Sequence, residues 1–324
     1  MIEKLEIHGF RGLTGLSLPH IGRINLIIGP GNSGKTSLLE AAFLLCSSGD
    51  PNLLRTLLGL RGAIHDNLTA DEWASLLGWF WPRHAPNERC RLEGMVHGSS
   101  RVVEVSKLTP GDAKSAEIQS SLLSSELHAQ QLRDSVASFM LRTEHDNKSQ
   151  IGMLYVPPHG KPNTMFHGLP NLPARFVTQR ERGLSSHLAS VWTSVEDASE
   201  DKSVTALLRE FDPGTQSISV AASEGGRAYL RVQHETLGRV PLEFQGAGFG
   251  KALSLSAEVI AAKNGILLID EFEDSLHVGA QGAIAAFLLK AARKYGVQLF
   301  ITTHSLETID ALVERFDASK ELFD

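Results

Sequence analysis

Cysteine is nearly absent from this 324-residue chain. The two that occur, Cys46 and Cys90, lie far apart, with no Cys-x-x-Cys pair and no Cys/His cluster at metal-ligand spacing. A disulfide framework and a zinc site are therefore not expected, and a reducing, cytoplasmic setting fits. Positive charge is not in excess either. Lys and Arg number 31 against 37 Asp and Glu, a formal net charge of −6, so a domain that coats nucleic acid with a basic surface is disfavoured and any DNA contact has to be local. A basic-then-apolar leader and an apolar run of membrane-spanning length are both missing, which points away from secretion and from the membrane. Also lacking are internal repeats and sustained heptads, and with the latter any long coiled-coil arm.

What is present is an ordinary apolar fraction of 42%, enough for one substantial core or a core with a satellite subdomain. Ile2, Leu5 and Ile7 alternate with charged residues, and residues 24–28 form a short apolar run, so both read as strands. Leu38, Leu39, Ala42, Phe43, Leu45 and Cys46 then recur at helical spacing. From about residue 50 to 150 the pattern loosens, with Trp73, Trp79 and Trp81 close together, a strand-like Arg101 to Lys107 and an amphipathic stretch from Ile118 to Leu141. This reads as an inserted lobe. Its tryptophans read as core, with a partner-binding face as the alternative. Order returns at 153–156 and 176–178, in a helix near 204–211, and in strands near 218–220 and 229–232. The last quarter alternates helix 251–262, strand 266–269, helix 279–295 and strand 297–302, the pattern of a parallel sheet with helical crossovers. The expected segments are 1–50 and 151–324 for a core and 51–150 for the lobe.

Three strand ends carry chemistry. Gly29-Pro30-Gly31-Asn32-Ser33-Gly34-Lys35-Thr36 matches G-x-x-x-x-G-K-[ST] between a strand and a helix. Glycines let backbone N–H groups wrap phosphates, Lys35 neutralises β/γ charge, and the Thr36 hydroxyl is a Mg²⁺ ligand, with Ser37 next in the same turn. Ile266 to Ile269 leads into Asp270-Glu271. Asp270 is expected in the Mg²⁺ shell, with Glu271 orienting or deprotonating the attacking water. A solvated strand end is the plain alternative, and the phosphate loop in the same chain weighs against it. Phe300 to Ser305 ends a further strand, where His304 could hydrogen-bond a γ-phosphate or serve structure alone.

Together the loop at 29–36, Leu-Leu-Ile-Asp-Glu at 267–271 and Thr-Thr-His-Ser at 302–305 resemble the ABC-type ATPases of the SMC, RecF and OLD group. Ile-His-Gly-Phe-Arg-Gly at 7–12 resembles that group's N-terminal "NFRG" signature, and residues 270–277 its "DEIENGLH" segment. The resemblance implies an α/β P-loop NTPase of ABC type. Its mixed sheet would have a parallel core, an N-terminal antiparallel β portion and an inserted α/β lobe. It also implies ATP and Mg²⁺ as ligands and Arg11 near the nucleotide. Phe244 to Lys251 matches the signature segment, whose Gly246 and Gly248 would offer N–H groups to a γ-phosphate held by a second copy, with Lys251 adding charge from the first turn of the following helix. Phe244 departs by standing where a serine is usual, and Ala247 where an acid is common, so hydrolysis is expected to be slow or partner-dependent. Gln179 is the candidate Q-loop residue, or a surface glutamine. Asp274 and His277 fall on the dimer-facing D-loop, with a helix N-cap at Asp274 or Ser275 as the alternative.

Within that group the likeness is to compact prokaryotic ATPases of anti-phage defence and OLD-like systems. The implied assembly is a homodimer through an ATP sandwich, or a higher oligomer of dimers, controlling a separate effector such as a nuclease or toxin. About twenty residues follow His304, too few for a Toprim nuclease domain. An ATP-gated scaffold with little turnover and a RecF-like DNA-repair clamp are the other readings.

Overall fold

A computed structural model describes residues 1–82, 89–108, 126–146, 148–166, 168, 171–178 and 185–317. The chain divides into two compact units, Met1–Gly22 with Thr36–Leu172, and Arg23–Lys35 with Pro173–Asp324.

The first unit is built on a seven-stranded antiparallel sheet. Its strands are β1 (Ile2–Phe10), β2 (Leu13–Leu18), β4 (Cys90–Val96), β5 (Ser99–Leu108), β6 (Ala137–His145), β7 (Lys148–Val156) and β8 (Asn163–Phe166), in the order β2-β1-β4-β5-β6-β7-β8. In β4 every second residue, from Cys90 to Val96, is buried, the period-2 signature of a sheet with one covered face. Outside that buried set charges pair, Arg91 bonding Glu93 along β4 and Glu104 across on β5. Helices α2 (Asn52–Leu60), α3 (Ala70–Gly78) and α4 (Glu126–Arg133) belong to this unit. The first turn of α3 is closed by a capping box between Thr69 and Glu72. Trp73 and Trp81 are buried, the latter stacked on Phe139 at 5.6 Å, and Trp79 is half exposed. Two of the three tryptophans are therefore core. The amphipathic stretch 118–141 is not one helix: α4 covers its middle and β6 its end, because Ala137 onward pairs with β5 and β7.

The second unit holds a four-stranded, wholly parallel sheet in the order β3-β14-β13-β9, made of β3 (Ile24–Ile28), β9 (Ala174–Val177), β13 (Ile266–Ile269) and β14 (Gln298–Thr303). Every residue of β13 and β14 is buried, as expected for parallel strands covered on both faces. A separate three-stranded antiparallel sheet comprises β10 (Thr215–Ala222), β11 (Ala228–His234) and β12 (Gly238–Pro241). Helices α5 (Ser185–Asp197), α6 (Asp201–Leu208), α7 (Ala247–Ala261), α8 (Val278–Tyr295) and α9 (Leu306–Asp317) complete it. α7 packs against α5 and α8, and α9 against α8. One apolar core runs through Trp192, Leu253, Leu255, Val259, Leu267, Ile284 and Leu299. Fully burying a leucine or isoleucine of this kind is worth roughly 1.5–3 kcal/mol. α8 ends at Gly296, whose φ of +65° provides the left-handed C-terminal cap.

α1 (Lys35–Leu45) joins the units covalently. The contact division differs from the expected segments at 50 and 150, because β1 pairs with β4 and so draws the first residues into the sheet of the lobe. The fold is the expected α/β type, with its parallel core and its N-terminal antiparallel strands in distinct sheets among the described residues. The helix expected over 251–262 starts four residues earlier, at Ala247. Among the described residues no helix is long and apolar enough to cross a membrane. Cys46 and Cys90 are unpaired and buried, and burial pushes both thiols up, that of Cys46 to about 12, which leaves them unreactive.

Candidate functional site

The four parallel strands of the second unit end on one edge of their sheet. β14 lies between β3 and β13, and neighbouring strands are about 4.8 Å apart. The loop after β3, the His304 segment after β14 and the Asp270-Glu271 pair after β13 are therefore brought to one edge, although the loop is far from the other two along the chain. Residues beyond the carboxyl ends of parallel strands are where α/β sheets bind ligands.

The loop after β3 turns through two left-handed residues, Asn32 at φ +59° and Gly34 at φ +91°. Asn is among the few side chains that accept this conformation. Lys35, largely buried, curls its Nζ back over the loop and donates to the carbonyl oxygens of Gly29 (2.7 Å) and Pro30 (2.8 Å). α1 starts at Lys35 and has no acidic residue in its first turn, so nothing there opposes an anion at its N-terminus. Gly29, Ser33, Thr36 and Ser37 take the places in loop and first turn that the motif requires. The fit to a bound triphosphate is good: a lysine resting on replaceable carbonyl partners, backbone N–H groups at a helix start, and hydroxyl and carboxylate oxygens of the kind that hold Mg²⁺.

At the β13 end, Thr302 joins the two acids. Its hydroxyl donates to Asp270 Oδ1 at 2.8 Å and accepts the backbone N–H of Glu271, also at 2.8 Å. Glu271 is left-handed, with φ +49°, an uncommon conformation for a glutamate that costs about 1 kcal/mol or more. The Thr302 bond, and that from Phe272 N–H to the Thr302 carbonyl at 3.1 Å, hold it there. Glu273, two residues on, accepts both the backbone N–H and the ring Nδ1 of His304, each at 2.8 Å on Oε1. The imidazole of His304 is 54% exposed, with Nε2 as the nitrogen opposite that anchor. Ser305, the last residue of the Thr-Thr-His-Ser run, accepts the N–H of Thr308 at 3.2 Å and caps α9. Thr302 and Glu273 were not singled out from sequence. Their signal was the spacing, Glu273 two places after Glu271 and Thr302 two before His304, which gains meaning only when β13 and β14 are known to be neighbours.

In the signature-like segment, Gly246 is the N-cap residue of α7 and Phe244 is 81% exposed. A Cβ on Gly248 would lie 2.9 Å from the carbonyl oxygen of Ser275, so only glycine fits beside the turn after Glu271. Lys251 is buried a full turn inside α7. That corrects the reading of Lys251 as a first-turn charge, since the helix begins at Ala247. The cap of α8 is His277, whose Nδ1 accepts the N–H of Gly279 at 3.2 Å. Neither Asp274 nor Ser275 caps it; the hydroxyl of Ser275 donates to Asp274. Arg11, in the first unit, is left-handed at φ +53°. Its guanidinium meets Glu40 at 2.6 Å and lies over the ring of Phe80 at 4.9 Å. Burial lowers its pKa, which Glu40 opposes. Gln179 lies outside the described residues.

Residues 108–310 match the family described as "AAA domain, putative AbiEii toxin, Type IV TA system". The chain belongs to this AAA family. Residues 1–52 also match a "Protein of unknown function (DUF2813)". Uncharacterized protein MJECL11 of Methanocaldococcus jannaschii is 43% identical over 76 residues, 24% of this chain and 65% of that protein. The chain thus matches less than two thirds of that relative's length. An ATP/GTP phosphatase of Helicobacter pylori is 21% identical over 336 residues, covering 96% of this chain and 87% of the relative. Among solved structures, an SMC head bound to the C-terminal winged-helix domain of ScpA aligns over 96% of this chain and 92% of its own, with 13% identity and a TM-score of 0.47. The AAA domain match spans β13, β14 and the signature-like segment.

Proposed function

We propose that the protein binds ATP with Mg²⁺ and hydrolyses it at the β3-β14-β13 edge of the second unit, as a nucleotide-gated dimer that controls a separate effector. The observation that carries the hydrolytic reading is the strand order: β14 between β3 and β13 brings Lys35, His304 and the Asp270-Glu271 pair to one sheet end. Lys35 exchanges the carbonyls of Gly29 and Pro30 for β/γ-phosphate oxygens. Asp270 and Thr36 would supply oxygen donors for Mg²⁺, which would neutralise phosphate charge. Glu271, fixed by Thr302, orients the attacking water and takes its proton. His304 meets the γ-phosphate through Nε2.

The dimer rests on the signature-like segment. Gly246 and Gly248 stand at the start of α7, which has no side-chain cap, beside an exposed aromatic at 244 in place of a hydroxyl. An isolated copy would then turn over slowly; Arg11 and Gln179 are the further residues assigned to the nucleotide. A role in anti-phage defence, with a nuclease or toxin as effector, is the biological setting we favour. The family description, which names a toxin of a type IV toxin–antitoxin system, is in keeping with it.

The test is ATP turnover against protein concentration, with mass in solution measured with and without ATP. Turnover that rises with self-association, and is lost in Lys35→Ala and Glu271→Gln, is the expected result. ATP binding without turnover at any concentration would overturn the hydrolytic reading in favour of a gated scaffold.

A further inference from the structure

We propose that Glu273 is a positioning residue for the reaction, anchoring His304 through its backbone N–H and ring Nδ1 so that Nε2 is turned towards the phosphate. This rests on the reading of the edge as an ATPase site with His304 at the γ-phosphate.

Glu273 makes two bonds to one residue. The same carboxylate oxygen accepts the backbone N–H of His304, which fixes where the residue leaves β14, and its Nδ1, which fixes the rotation of the ring. A histidine at a strand end with 54% side-chain exposure would otherwise sample several rotamers. Glu273 itself is mostly buried, its side chain 12% exposed. It is carried on the turn that continues from Asp270 and Glu271, closed by Leu276 N–H on the Glu273 carbonyl at 3.0 Å. One short turn therefore holds the metal-ligand candidate, the water-orienting candidate and the residue that aims the histidine. Any displacement of this turn moves all three.

The chemistry of the contact is directional. A carboxylate only accepts, so Nδ1 must carry a proton, and in the neutral ring Nε2 is then the bare nitrogen. A phosphate oxygen also only accepts, so a bond to it from Nε2 requires a proton there as well as on Nδ1, and the Glu273 carboxylate is the group that faces the ring from the other side. Without the carboxylate, the ring would lose its orientation and the reason to keep its proton on Nδ1. Gln at 273 retains an acceptor oxygen but not the charge, and separates the two contributions.

The experiment is a double-mutant cycle on the full chain, with Glu273→Ala, His304→Ala and the pair, alongside Glu273→Gln. ATP turnover and ATP binding are measured for each. The expected result is a fall in kcat of roughly tenfold for Glu273→Ala with KM changed less than about twofold, partial recovery in Glu273→Gln, and no further loss when Glu273→Ala is added to His304→Ala, within the few-fold to hundredfold range of coupling seen for residues in contact. Losses that multiply in the double variant would overturn the proposal. A second readout does not depend on turnover: nitrogen NMR of histidine-labelled protein should show the neutral His304 ring protonated on Nδ1 in the wild type and shifted towards Nε2 in Glu273→Ala. An unchanged tautomer would overturn the proposal even if the protein hydrolyses no ATP, whereas the expected shift in a protein without turnover would overturn only the ATPase reading.

Discussion

Thr302 is an uncharged, fully buried residue, and its hydroxyl touches both acids at the end of β13. Thr302→Val keeps the shape and removes both bonds, leaving the Glu271 N–H without this acceptor. The expected cost is about 1–3 kcal/mol, read as a lower urea midpoint, together with a fall in ATP turnover because Glu271 is no longer held at its left-handed φ. A stability loss with unchanged turnover would show that the hydroxyl serves folding alone. Gly248 is constrained differently. Its Cβ would sit 2.9 Å from the Ser275 carbonyl, and backbone cannot yield as a side-chain tip can. Gly248→Ala is expected to destabilise by roughly 1–3 kcal/mol, whereas Gly246→Ala, with open space at its Cβ, is expected to leave the thermal midpoint nearly unchanged.

At the scale of elements, α1 is held in the first unit by a carboxylate between two guanidinium groups. Glu40, 1% exposed, takes Arg11 at 2.6 Å and Arg61 through Nε and Nη2 at 2.7 and 2.9 Å. This ties the C-cap residue of α2 and the turn after β1 to the helix that opens at Lys35. Removing the buried acid that the two guanidinium groups share leaves them facing each other. Glu40→Gln should therefore cost about 3 kcal/mol or more, measurable by denaturant unfolding, and replacing Arg61 alone should cost less because its side chain is 38% exposed. The helices expected near 204–211, 251–262 and 279–295 lie within a few residues of those bounds, and their N-caps were not legible. Composition favours Asp or Ser as an N-cap, and His277 took the role at α8 because its ring nitrogen reaches Gly279 N–H while Asp274 and Ser275 bond each other.

For the molecule as a whole, acid stability reports one tertiary contact. Glu200, ahead of α6, is bonded by Lys294 and by Tyr295 Oη at 2.8 Å, both at the end of α8. Burial raises the pKa of Glu200, but hydrogen bonds from Lys294, Ser203 and Tyr295 outweigh it and bring the group from 4.5 down to about 2. A carboxylate with a lowered folded pKa contributes stability that is complete above 4.5 and lost as pH falls towards 2. The slope of stability against pH between 4.5 and 2 should thus be shallower in Glu200→Gln than in the wild type. Because Lys294 is 57% exposed, the difference should shrink as salt is raised. The net charge of −6 leaves self-association to local surface, and Phe244 at 81% exposure is the most exposed large apolar side chain among the described residues.

By itself the sequence determined the parts of the site that are contiguous. The eight residues from Gly29 to Thr36 and the apolar run into Asp270-Glu271 are legible because the chemistry of each sits within one turn or one strand, where spacing along the chain equals spacing in space. The parallel, two-face-covered character of β13 and β14 was legible too, from uninterrupted apolar runs between helices. Strand order was not, since nothing local states that β14 inserts between β3 and β13, and neither was the allegiance of β1, whose alternation marks a strand but not its partner. Thr302 on Asp270 and Glu273 on His304 join residues 32 and 31 positions apart. Only the tertiary structure decided those contacts, because hydrogen bonds between strand ends form when sheet pairing sets the register, and pairing is chosen by burial over the whole unit.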